Sequence, residues 1–171
     1  NLKKRLRNFK EKPKKIIKNN SLIKKKLSAF LKKTVFKNID MCFQRLLKKK
    51  YGMINRNNNT YLYVTSNLGI KFEKKYVMNI LNLSKSYSKK FIILVHPREN
   101  ILKWRKQFKN YINSSPKKNL YSSKNIKYVF GISTMALINF KFAGFDVRYF
   151  NQNFKKNELT EMFKKYNIKP I

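Results

Sequence analysis

The chain has 171 residues, of which 42 are Lys or Arg and 7 are Asp or Glu, a formal net charge of +35. Self-repulsion at this density opposes a compact state, so the composition implies a polyanionic partner, nucleic acid ahead of an anionic membrane surface. Cys42 is the one cysteine and His96 the one imidazole, which excludes an internal disulfide and leaves a zinc site two ligands short.

Residues 1–50 hold 19 Lys and Arg against Glu11 and Asp40. The stretch 2–20 is too charged to pack and contains Pro13, so it reads as an arm that orders on RNA. From Ser21 onward Ile23, Leu27, Phe30 or Leu31, and Thr34 or Val35 recur at helical spacing, and a second helix is expected over 39–47. The candidate phosphate contacts of the arm are Lys3, Lys4, Arg5, Arg7, Lys14, Lys15, Lys24, Lys25 and Lys26, continued by Lys48, Lys49, Lys50 and, just past it, Arg56. A basic leader poor in acids also matches a transit peptide, although those favour Arg and Ser where this one favours Lys.

After Tyr51-Gly52 the period changes, and a globular domain is expected over 51–151, followed by a helical extension over 152–171. Thr60 to Ser66 alternates, with Leu62 and Val64 on one face and Tyr61, Tyr63 and Thr65 on the other, which is a strand pattern. Asn67-Leu68-Gly69 supplies turn chemistry, and Lys71 to Leu81 reads as a returning strand, so a hairpin is expected. Phe91 to Val95 is an unbroken apolar run, a strand buried on both faces. Pro97 is placed in the first turn of a helix whose stripe is Ile101, Arg105, Phe108 and Ile112, with Leu102 and Trp104 beside it. A Ser-, Asn- and Lys-rich loop spans 113–124, a strand 126–132, a short helix 133–143 closed by Gly144, a strand 145–150 and a last helix 157–166 with Leu159, Met162, Phe163 and Tyr166 inward.

Three strands joined by short turns, then alternating helices and strands, predict an α/β fold: a ribonuclease H-like mixed sheet of about five strands with helices on both faces, behind a basic, partly helical arm.

Two blocks carry a family resemblance. Gly52-Met-Ile-Asn-Arg-Asn-Asn58-Asn59-Thr60 leads into the alternating strand that ends at Thr65, with Gly69 in the turn, and Ser133-Thr134 precedes Ala143-Gly144-Phe145 after the strand 126–132. In this the chain resembles the universal small-subunit ribosomal protein eleven over roughly residues 50–150. It departs from that family's pattern in a reduced Gly-rich stretch at Gly131-Ile132, in a Lys- and Asn-rich second strand, and in the absence of the family's basic carboxyl tail. The resemblance implies the fold of a platform protein and a role in binding and organising small-subunit rRNA near the mRNA exit path, beside neighbouring ribosomal proteins. Asn58, Asn59 and Thr60 are then candidate contacts to the sugar-phosphate backbone, and Ser133 and Thr134 to an anion at a helix start. The local alternatives are a turn for the Asn pair and a helix cap for Ser-Thr.

Enzymatic chemistry finds little to work with. A two-metal nuclease needs clustered carboxylates, yet the acids are scattered as Glu11, Asp40, Glu73, Glu99, Asp146, Glu158 and Glu161, and the first strand has none. Glu73 and Asp146 are expected to pair with lysines, His96 to be structural and Trp104 to pack on the sheet or a neighbour; Tyr61, Tyr63, Tyr87, Tyr121 and Tyr128 could stack on unpaired bases, but core or interface packing is the first expectation for each, and none is singled out as a stacking residue. The chain is therefore expected to be no enzyme, to need no cofactor or metal, and to take no small-molecule substrate.

Lys outnumbers Arg 35 to 7 although Arg is the better bidentate phosphate ligand, while Asn is abundant and Gly, Pro and Ala are scarce. This bias follows AT-rich codons and points to an organellar genome, a mitochondrion before a plastid. Besides the platform family, two readings stay open: another ribosomal component, lineage-specific or like the large-subunit protein eighteen, and a non-ribosomal basic RNA- or membrane-binding protein.

Overall fold

The computed structural model describes residues 41–55, 59–113, 117–151 and 158–171. The chain divides into two compact units, Asn1–Phe43 and Gln44–Ile171, and the fold below is that of the second. The first forty residues, with the helix expected from Ser21 onward and the arm's candidate contacts from Lys3 to Lys26, lie outside the described residues, as do Arg56 and Asn58; of the second helix, expected over 39–47, residues 41–47 are described and are helical.

The second unit opens with helical residues 44–51 (α1), which bury Gln44 and Leu47. The order is then β1 (Thr60–Val64), α2 (Ile70–Ser86), β2 (Lys90–Leu94), α3 (Ile101–Phe108) with a 3-10 turn over Lys109–Tyr111, α4 (Lys117–Tyr121), β3 (Ile126–Gly131), α5 (Met135–Phe142), β4 (Asp146–Tyr149), α6 (Glu158–Lys165) and β5 (Lys169–Pro170). The strands form a single five-stranded sheet in the order β2-β1-β3-β4-β5, and every pairing is parallel.

Alternation within each strand sends side chains to two separate cores, which is why helices are needed on both faces. Tyr61, Tyr63, Phe91, Ile93 and Phe130 meet Val77, Ile80 and Leu81 of α2 and Trp104 and Phe108 of α3. Leu62, Val64, Val129, Val147 and Tyr149 meet Leu47 of α1, Leu137, Ile138 and Phe140 of α5, and Phe163 of α6. β1 is buried along its whole length because it is central and covered on both sides.

The mixed sheet with a leading hairpin is not what forms. Residues 71–81 are helical, inside the 17-residue α2, and the link from β1 to β2 is a parallel crossover. The reason lies in the spacing of the inward positions: Glu73, Val77, Ile80 or Leu81, and Ser84 recur every three to four residues, which suits a helix and leaves a strand with no continuous apolar face. Asn67-Leu68-Gly69 is consequently a strand-to-helix loop, with Gly69 at φ 86 standing as the residue before the helix. The ribonuclease H-like expectation rested on that hairpin and is replaced by an all-parallel, doubly wound arrangement.

Smaller corrections follow the same logic. Pro97 lies in an exposed turn, and the helix begins at Ile101, capped by Asn100, whose side chain accepts from the Leu102 N–H at 2.9 Å. Of the predicted stripe, Trp104 and Phe108 are buried while Ile101 and Leu102 are exposed. The loop expected over 113–124 contains α4, which places Leu120 and Tyr121 in the core. The final helix continues through Asn167 at φ 52 into β5, and Ile168 is buried, so residues 158–171 are built into the fold.

Candidate nucleic-acid interface

In an all-parallel sheet the carboxyl ends of all strands share one edge, and the chain reverses there between β1 and β3, where the neighbours on the two sides run in opposite sequence order. Open α/β sheets place ligands at such a switch point. Three segments converge on it: Thr65 to Gly69 after β1, His96 to Asn100 after β2, and Ile132 to Thr134 after β3.

Two carboxylates organise the place. Glu73, in the first turn of α2 and fully buried, accepts from the Ser66 N–H at 2.7 Å and from the Tyr63 hydroxyl at 3.0 Å. Burial pushes its carboxyl up to about 7, with the nearby Glu99 charge adding to the effect, against the lowering pull of the Ser66 and Tyr63 hydrogen bonds. The Tyr63 hydroxyl is itself pushed up, by burial first and then by the Glu73 charge. Glu99, from the loop after β2, accepts from the Gly69 N–H at 2.7 Å, from the Trp104 indole N–H at 2.7 Å and from the Thr65 hydroxyl at 3.1 Å. Thr65 in turn accepts from the His96 N–H at 2.7 Å, which ties β1 to the end of β2.

Both acids thus lie at the amino-terminal end of α2, the positive end of its dipole, where an anionic ligand would otherwise be held. Their partners in these contacts are neutral donors. The expectation that Glu73 pairs with a lysine is replaced by this inward role, whereas Asp146 pairs with Arg148 at 3.2 Å. Glu73 and Glu99 are thus turned inward, while Lys71, Lys74 and Lys75 of α2 remain exposed.

Above this floor is an open cleft of about 680 Å³ between the start of α2 and α3, bordered by Lys71, Arg98, Lys103 and Lys106. All four side chains are exposed. Four cations at the mouth of a cleft whose base already carries its own carboxylates suit a phosphodiester backbone lying across the mouth better than a phosphate seated at the helix end.

The other sequence candidates divide by accessibility. Lys48, Lys49 and Lys50 are exposed on α1, and Asn59 is exposed while its carbonyl accepts from the Lys90 N–H at 2.9 Å. Thr60 is buried at the start of β1. The Ser133 N–H donates to the Ser66 hydroxyl at 2.9 Å, and Thr134 caps α5 by accepting from the Ala136 N–H at 3.3 Å, so both are engaged within the fold. Tyr61, Tyr63 and Tyr121 are buried, Tyr128 is half-buried against Tyr61 and Phe130, and Tyr87 is exposed. His96 accepts from the Arg98 N–H at 3.2 Å, a turn contact.

Sequence reasoning misses the cleft because its cations come from two helices and the loop before the second, Lys71 from the segment expected to be a strand, Arg98 from the loop, and Lys103 and Lys106 from α3. The signal available was Glu73 in a segment otherwise rich in lysine, at the spacing of the buried face. Among the described residues no group of three His, Cys, Asp or Glu side chains could hold a metal ion, and no helix is long and apolar enough to cross a membrane. No protein-family model, curated protein or solved structure matches the chain.

Proposed function

We propose that this chain is an RNA-binding structural component of a ribosome, in an organelle whose genome is AT-rich, the mitochondrion first. The observation that carries the reading is the charge of +35 on a chain with a well-formed core, together with the inward placement of Glu73 and Glu99. Positive charge of this size calls for an external polyanion, and ribosomal RNA is an abundant one that accepts a folded domain and a basic arm together. The floor of the switch point is filled by side chains bonded to one another, which favours a binding surface over a catalytic pocket.

The narrower reading, membership of the platform family, keeps its two sequence blocks. The hairpin that arranged them is a parallel crossover in this fold, so the proposal is placed at the level of a ribosomal RNA-binding protein, with neighbouring ribosomal proteins as further partners.

Sedimentation of tagged chain through a sucrose gradient, followed by chemical footprinting of the co-sedimenting rRNA, tests the proposal. Stoichiometric migration with one ribosomal subunit and a discrete footprint is the expected outcome. Migration at the top of the gradient at physiological salt would overturn it.

A further inference from the structure

A second concavity lies at the opposite edge of the sheet. Gly144, at φ 86, ends α5 just before β4, and it packs directly on the residue that follows α1: a Cβ placed on Gly144 would come within 2.9 Å of the Gly52 carbonyl oxygen. This close approach of two backbones brings the carboxyl ends of α1 and α5 together, and Tyr166 beyond α6 completes an open groove of about 560 Å³.

Its chemistry is unlike that of the cleft. The floor is aromatic, Phe142 and Tyr166 meeting edge to face with ring centroids 5.0 Å apart, and Met53, 94% exposed, overhangs it. The rim is cationic, formed by Lys48, Lys49 and Lys141.

We infer that this groove holds one unpaired nucleotide of RNA, its base against Tyr166, Phe142 and Met53 and its phosphates on Lys48, Lys49 and Lys141. A duplex presents its bases stacked and paired and cannot offer a face to the rings, whereas a single-stranded loop or bulge can. An apolar peptide would gain the floor but leave three lysines uncompensated at the rim, so the charge selects RNA. The inference rests on the RNA-binding reading above and adds a strand preference to it.

The test measures binding of the full chain to a labelled single-stranded oligouridylate and to a duplex RNA of equal length, by fluorescence anisotropy at one fixed salt concentration. Tyr166→Leu removes the stacking ring. Met53→Glu puts a negative charge at the groove mouth, on a side chain exposed enough to leave the core untouched. Each variant is expected to weaken the single strand at least about fivefold while leaving the duplex within about twofold, because phosphate contacts elsewhere dominate it. A photoadduct formed with 4-thiouridine in the oligonucleotide is expected on Tyr166, Phe142 or Met53. Equal losses on both RNAs, unchanged single-strand binding by both variants, or adducts confined to other segments would overturn the groove while leaving the RNA-binding reading in place. Failure of the unaltered chain to bind either RNA would overturn that reading as well.

Discussion

Glu73 is the residue whose chemistry is most sharply set by its surroundings. Its carboxyl titrates near 7 in the folded chain and at the ordinary 4.5 when exposed, so between these values the folded state holds a proton that the unfolded state has released. Its contribution is fully present below the lower value and is lost as pH rises through the higher one, amounting to about 3 kcal/mol across the window. Replacing it by Gln copies the protonated form, since the amide oxygen can still accept from Ser66 while the amide nitrogen donates to Tyr63. Urea unfolding in high salt, where repulsion among lysines is screened, should show stability falling from about pH 4.5 to about 8 in the wild-type chain and a flatter profile in Glu73→Gln. An equal fall in both would show that another group is responsible. Glu99 predicts a different effect. Glu99→Ala deprives the Gly69 N–H, the Trp104 indole and the Thr65 hydroxyl of their acceptor, and a loss of about 3 kcal/mol is expected in the same assay. A loss below about 1 kcal/mol would mean that water replaces the carboxylate at little cost.

At the level of elements, the parts legible in the sequence were those with a single dominant period. β1 with its alternation, β2 and β3 with their apolar runs, and α5 between Thr134 and Gly144 all form near the expected residues. Residues 71–81 do not show their helix in the sequence because three lysines and an asparagine interrupt the pattern and because a buried Glu occupies an inward position that an apolar residue normally marks. β5 has two residues and no apolar signature of its own, so its pairing with β4 is a tertiary outcome. The cleft depended on this missed helix, and of the site residues inferred from sequence within the described region, the exposed ones are Lys48, Lys49, Lys50 and Asn59. The two positive-φ glycines separate conformational strain from packing. Gly69 has nothing within 4 Å of a new Cβ, whereas Gly144 faces the Gly52 backbone at 2.9 Å. Gly69→Ala is therefore expected to cost about 1–2 kcal/mol from strain alone, and Gly144→Ala clearly more, read as urea midpoints. The reverse order would place the close approach of α1 and α5 in error.

For the whole molecule the decisive quantity is electrostatic. A fold with two cores of ordinary apolar composition carries a surface whose lysines greatly outnumber the outward acids, so its assembly with RNA is expected to be driven by release of condensed counterions. The cleft rim contributes four of these cations, and Lys71, Arg98, Lys103 and Lys106 replaced together by Gln leave both cores intact. The most direct measurement is the dependence of rRNA affinity on salt, plotted as log K against log salt concentration for the unaltered chain and for this fourfold variant. A steep negative slope is predicted for the former, made shallower by up to about 3 to 4 in the variant, close to 0.9 per phosphate contact removed. A slope near zero in the unaltered chain, or identical slopes in the two, would contradict the account.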